Sequence, residues 1–177
     1  MGKAKQFCAG IYVRKFVDSY YILGLTKNDS TVTQLPGGTD ENAPWENKDE
    51  TFRRELPEET GFLPTAGYEE VFSQPRNPTH TQYFYSMSEA RDTWADQKGP
   101  LEVGGERMRV ESDGDTLHVC WFEIEDFLVR IHLNHKTGCI KGLAHLASRD
   151  DGLWEHLYEI AKDPAFGELF EELSKVR

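Results

Sequence analysis

Three glutamates, Glu55, Glu58 and Glu59, stand at positions i, i+3 and i+4, led by Arg54 and followed by Gly61. On a helix those positions share one face. Like charges gathered so closely repel, so a helix with a purely structural role has little reason to collect them. A divalent cation reverses the sign of that argument, because hard ions such as Mg²⁺ take several oxygen ligands. Held there, such an ion would act as a Lewis acid and help to supply a deprotonated water.

The surroundings sharpen the signal. Leu35-Pro36-Gly37-Gly38 lies upstream, and Glu46 stands eight residues before Arg54. Together with Leu56, Gly61 and Phe62 these residues resemble the Nudix box, whose family pattern is G-x5-E-x7-R-E-U-x-E-E-x-G-U, with U a bulky apolar residue. The box spans about residues 38–62, roughly a seventh of the chain. One departure is clear: seven residues, not five, separate Gly38 from Glu46.

The resemblance implies a single Nudix hydrolase domain over residues 1–177. Its fold would be α/β, an α/β/α sandwich with a mixed β-sheet and C-terminal helices. It implies Mg²⁺ or Mn²⁺ as cofactor, with Glu58 and Glu59 as first-choice ligands and the Gly38 carbonyl as a further one. Glu55 is then a third ligand or the base that takes a proton from water. Arg54 would orient Glu55 through a bidentate contact, a task suited to its planar guanidinium. Glu46 would pair with the Arg54 region or reach the metal through water. A further loop acid is common in the family, and the candidates here are Glu102, Glu106, Glu111, Asp113 and Asp115.

Substrate marks are sparser. Pro78 lies sixteen residues beyond Phe62, a spacing similar to that of ADP-ribose and nucleotide-sugar pyrophosphatases. Ser73-Gln74-Pro75 resembles the opening of the NADH pyrophosphatase tag, but Arg76-Asn77-Pro78-Thr79 follows where that tag has Trp-Pro-Phe-Pro. Arg76, His80 and Tyr83 are the candidate substrate contacts. The expected activity is hydrolysis of a nucleoside diphosphate linked to another moiety. The alternatives are a nucleoside triphosphate pyrophosphohydrolase and a non-catalytic nucleotide-binding sensor. His118 reads as a packed strand residue, and His132, His135 and His145 are too scattered for a metal site.

Composition narrows the partners. With 31 acidic and 20 basic residues the formal charge is −11, which repels nucleic acid and anionic membranes. A small nucleotide remains compatible, since bound cations invert the local field. Cys8, Cys120 and Cys139 show no metal spacing and read as free cytosolic thiols, Cys8 and Cys120 as small core residues. No apolar run reaches the length of a membrane span. The expectation is a cytoplasmic protein, monomeric or homodimeric.

The elements that must position the glutamates follow from periodicity and turn chemistry. Phe7–Val13, Tyr20–Leu25 and Thr31–Leu35 read as strands, the third ended by Pro36-Gly37-Gly38. Asn47 and Glu50 form a capping-box pattern for the glutamate helix. Gly61 ends that helix, and Pro57 should kink it or widen a turn. Further strands are expected at Glu70–Ser73, Gln82–Met87, Arg107–Glu111 and Thr116–Ile124. A proline-rich loop should join the first two, and a polar loop should fill Ser88–Glu106. The tail should be helical, with a helix from Asp150 or Asp151 towards Lys162. Asp163-Pro164 then opens a last helix to about Val176.

Overall fold

The computed structural model describes residues 5–40, 46–93, 106–112 and 114–176, with the backbone alone over 106–112. The strands are β1 (Lys5–Phe16), β2 (Ser19–Lys27), β3 (Gly37–Thr39), β4 (Phe62–Asn77), β5 (His80–Asp92), β6 (Glu106–Ser112) and β7 (Asp115–Glu123). The helices are α1 (Lys48–Thr60), α2 (Ile124–Arg130), α3 (Leu133–Ala147), α4 (Asp151–Ala161) and α5 (Gly167–Val176).

The strands form one mixed sheet in the order β4-β5-β1-β2-β7-β6, with β3 pairing β1. β1 is the hinge of this arrangement. Its residues 5–12 run parallel to β5 along one edge. On the other edge Phe7–Ala9 pair antiparallel with β3, and Val13–Phe16 pair antiparallel with β2. The short strand that carries Gly37 and Gly38 is thereby held at the middle of the sheet.

Alternation along the strands separates two cores. Cys8, Tyr12, Leu23, Leu25, Tyr85, Val119 and Trp121 face α1 and pack on its Phe52 and Leu56. Ala9, Ile11, Ile22 and Phe84 face the other way, onto α2 to α5. The result is the expected α/β/α sandwich.

The helix signals are realised at α1. Asn47 Oδ1 accepts the Glu50 N–H at 2.9 Å, and Asn47 Nδ2 donates to Glu50 Oε1 at 2.7 Å. Gly61 adopts the left-handed conformation at φ 79° and donates its N–H to the Pro57 carbonyl. The helix runs unbroken through Pro57, with no widened turn. Asp150 caps α4 through the Leu153 N–H, and Asp163 caps a 3-10 turn, Pro164–Phe166, that leads into α5.

Several boundaries differ from expectation. Pro36-Gly37-Gly38 does not end a strand: Gly37–Thr39 is itself β3, while Thr33 and Gln34 make only isolated bridges. β4 and β5 are far longer than Glu70–Ser73 and Gln82–Met87 and form a hairpin turning at Pro78-Thr79. Three register irregularities, two of them at Pro64 and Pro75, let β4 carry its prolines without leaving the sheet. β5 reaches Asp92, so the polar loop expected from Ser88 starts later; residues 94–105 lie outside the described residues. β7 stops at Glu123, because Ile124 opens α2.

Candidate active site

Arg54 organises the acidic face of α1. Its Nε and Nη2 donate to the two oxygens of Glu46 at 2.8 and 2.9 Å, and Nη1 donates to Glu55 Oε1 at 2.8 Å. Nη1 also reaches Glu58 Oε2 at 3.3 Å, and Nη2 the Thr39 carbonyl at 3.3 Å. The bidentate grip therefore falls on Glu46, not on Glu55 as expected. The fork has two edges, and the one spanning Nε and Nη2 meets the carboxylate that returns from the loop before the helix. Glu46 is buried and takes a further bond from the Thr51 hydroxyl at 2.7 Å.

Glu55 lies against β3. A Cβ built on Gly38 would collide with the Glu55 carboxyl group. Only glycine at position 38 allows the helix carboxylate to approach that backbone. One turn on, Glu59 Oε2 accepts the Gly37 N–H at 3.0 Å. Glu59 is 9 % exposed. Burial foremost pushes its pKa up to about 8, with Glu55 and Glu58 adding to the effect; the Gly37 N–H and Lys27 act against it. A buried carboxylate flanked by two others is a site short of positive charge.

Glu58 projects outward, its side chain 58 % exposed, within reach of Arg54. Among the described residues, no three His, Cys, Asp or Glu side chains are arranged to hold one ion between them. In donor type the residues fit a hard divalent cation: three carboxylates on one helix face beside a glycine backbone, with the local charge deficit at Glu59.

Other candidates fall in different places. Tyr83 faces α1 at its N-terminal end, where the Lys48 ammonium lies 4.7 Å from the ring centre. His80 is three residues away along β5, so alternation sets it on the opposite face. Its pKa is shifted down by burial, and by the charges of Arg76 and Lys5. The strand thus separates Tyr83 from Arg76 and His80 rather than gathering the three. Asp115 Oδ1 accepts a bond from Asn28 Nδ2 at 2.9 Å. Glu106 and Glu111 lie on β6 with only their backbone described, and Glu102 and Asp113 fall outside the described residues. His118 is half-buried on the β7 face shared with Cys120 and Phe122.

Two residues near the site carried no signal in the sequence. Lys27, at the end of β2, is close enough to favour the charged form of Glu59. His135, buried at the start of α3, accepts the Leu35 N–H on Nδ1 at 3.1 Å, two residues before Gly37. Burial holds His135 down at about 3, helped by the charges of His132, Lys27 and Arg76. Neither residue belongs to the box, and a lone lysine or histidine has no local pattern to flag it.

Comparison with solved structures places this architecture. The NUDIX domain of Shewanella oneidensis NrtR, complexed with ADP ribose, is similar at TM-score 0.58 and 14% identity, covering 82% of this chain and 90% of that one. The E. coli ORF135 protein gives TM-score 0.55 at 20% identity, over 84% of this chain and 95% of that chain. A MutT NUDIX hydrolase from Burkholderia pseudomallei gives TM-score 0.51 at 14% identity, over 77% and 96%. The chain has the Nudix fold. No family model matches its sequence, and no curated protein matches it.

Proposed function

We propose that this chain is a Nudix hydrolase, a pyrophosphohydrolase dependent on Mg²⁺ or Mn²⁺. Its substrate is a nucleoside diphosphate linked to another moiety, with ADP-ribose or a nucleotide sugar as first choice. The observation that carries the reading is the convergence of Glu55 and Glu59 on the Gly37-Gly38 backbone, with Glu59 buried and short of positive charge.

Glu58, Glu59, Glu55 and the Gly38 carbonyl would hold the cation. When bound, it neutralises charge on the phosphate oxygens and acidifies the attacking water. Arg54, anchored on Glu46, holds Glu55 in place by its Nη1 donor. Glu55 serves as a ligand or takes the proton from water. Lys27 supplies a fixed positive charge beside Glu59 for the substrate's phosphates. The similarity to a domain complexed with ADP ribose supports the substrate choice.

The test is a hydrolysis panel of ADP-ribose, nucleotide sugars, nucleoside triphosphates, dinucleoside polyphosphates and NADH with Mg²⁺ or Mn²⁺. Fastest turnover of ADP-ribose or a nucleotide sugar is expected. Preference for a triphosphate would replace the substrate class while keeping the chemistry. A second reading is a nucleotide-binding sensor without catalysis, favoured by the likeness to NrtR, also solved with a 27mer DNA. Binding of ADP-ribose without turnover would select it.

A further inference from the structure

On the face of the sheet opposite α1, a cavity of about 240 Å³ lies between β1, β4, β5 and the C-terminal end of α3. Val13, Leu146 and Leu153 give it an apolar floor, and Lys15, His145 and Arg149 stand on its wall. The candidate active site does not include these residues. Glu55, Glu58 and Glu59 belong to α1, whereas Val13, Tyr20, Leu146 and Leu153 belong to the core under α2 to α5.

The charges of the wall are unevenly committed. Asp150, its one carboxylate, already caps α4 through the Leu153 N–H at 3.1 Å and accepts the Tyr20 hydroxyl at 3.3 Å. The Lys15 ammonium lies over the Tyr20 ring at 5.6 Å. Arg149 donates to Glu69 at 2.9 Å. His145 Nε2 lies 3.2 Å from the other oxygen of Glu69, so one carboxylate holds both groups against the wall. Ser86, 1 % exposed, adds a hydroxyl to the wall. In a chain with 31 acidic and 20 basic residues, this concentration of basic side chains around a partly enclosed space runs against the average.

We infer that this cavity is a second binding site, for a small organic anion: a phosphate or carboxylate group on an apolar body. The anionic head meets Lys15, Arg149 and His145, and the apolar part rests on Val13, Leu146 and Leu153. A concave, largely apolar space with a few convergent polar groups is the usual form of a small-ligand site.

The experiment uses phenyl phosphate and benzoate as probes, with benzyl alcohol as the neutral counterpart. Binding is followed by titration calorimetry in EDTA, so that no metal draws phosphate to the α1 site. The wild type and the Glu59→Gln variant should bind at least one anionic probe with equal, sub-millimolar Kd. Benzyl alcohol should bind at least 10-fold more weakly. The double variant Lys15→Met/Arg149→Met should lose at least 10-fold in affinity while keeping the wild-type melting temperature within a few degrees. Single Arg149→Glu, an exposed position, provides the same loss if the double variant is unstable. Failure of both anions to bind at millimolar concentration, or unchanged affinity in the Lys15 and Arg149 variants, would overturn the inference. Loss of binding on Glu59→Gln would do the same, by returning the probe to the α1 site.

Discussion

Glu59 ties the end of α1 to β3: its Oε2 accepts the Gly37 N–H at 3.0 Å. A backbone donor that depends on a buried carboxylate links the glycine strand to the helix face directly. Displacing either partner should therefore disturb the geometry of the other, and the proposed chemistry with it.

Gly38→Ala tests that contact. The added Cβ would occupy the space of the Glu55 carboxyl group. The side chain must swing away or β3 must shift. The expectation is a kcat lowered by about 10²-fold, of the order seen when one positioned polar group is lost. The melting temperature should fall by only a few degrees, since the cores of the sheet are untouched. Steady-state kinetics and a melting curve on one preparation check both.

Arg54→Lys separates charge from shape. Lysine keeps the positive charge but cannot span both oxygens of Glu46 and still reach Glu55. Losing charge-assisted bonds to a buried carboxylate costs about 2 kcal/mol, or about 4–8 °C in a domain of this size. Turnover should fall at least 10-fold. A variant with wild-type stability and turnover would show that the fork geometry is dispensable.

How much of this was legible follows from where each signal resides. The box residues carry fixed spacings, Asn47 and Asp163 carry cap chemistry in their side chains, and Gly61 carries it in lacking one, so α1 and the tail could be read locally. The full length of β4 could not, because Pro64 and Pro75 argue against a strand beyond Glu70–Ser73 and are accommodated only through bulges against β5. α3 was hidden for a similar reason. Its Gly138 and Gly142 lower helix propensity, yet a Cβ at either would strike Phe84 or Ile11, so they mark close packing on the sheet. The partners of Arg54 could be named but not ranked, since sequence gives no orientation of a guanidinium fork. Lys27 and His135 reach the site only through the tertiary fold.

His135 should make stability fall in mild acid. Its pKa in the folded state, about 3, lies below the ordinary 6.5, so folding favours the neutral ring that accepts the Leu35 N–H. That contribution is complete above pH 6.5 and is lost as the pH falls from about 6.5 towards 3. The slope from one such group is at most about 1.4 kcal/mol per pH unit. His80 and His156 are shifted down as well, so the difference between wild type and His135→Asn isolates this residue. Urea titrations at pH 7.5, 6.5, 5.5 and 4.5 should show the variant losing less stability between 6.5 and 5.5 than the wild type. Parallel curves would contradict the assignment.

Pro57→Ala should stabilise. α1 is continuous through Pro57, which removes one backbone donor from the helix. Alanine in a helix interior is favoured by up to about 3 kcal/mol, so a rise of several degrees in melting temperature is expected. A fall in kcat at the same time would mean that the proline helps to aim Glu58 and Glu59.

The most direct measurement of the central claim is the metal dependence of phosphoanhydride hydrolysis on the best substrate of the panel. Enzyme stripped with EDTA and assayed in metal-free buffer should show no turnover, and Mg²⁺ or Mn²⁺ should restore it. Glu58→Gln and Glu59→Gln, each folded, should restore at least 10²-fold less, about 3 kcal/mol of transition-state stabilisation. Full turnover without metal, or near-native rates in both variants, would contradict the assignment of these carboxylates.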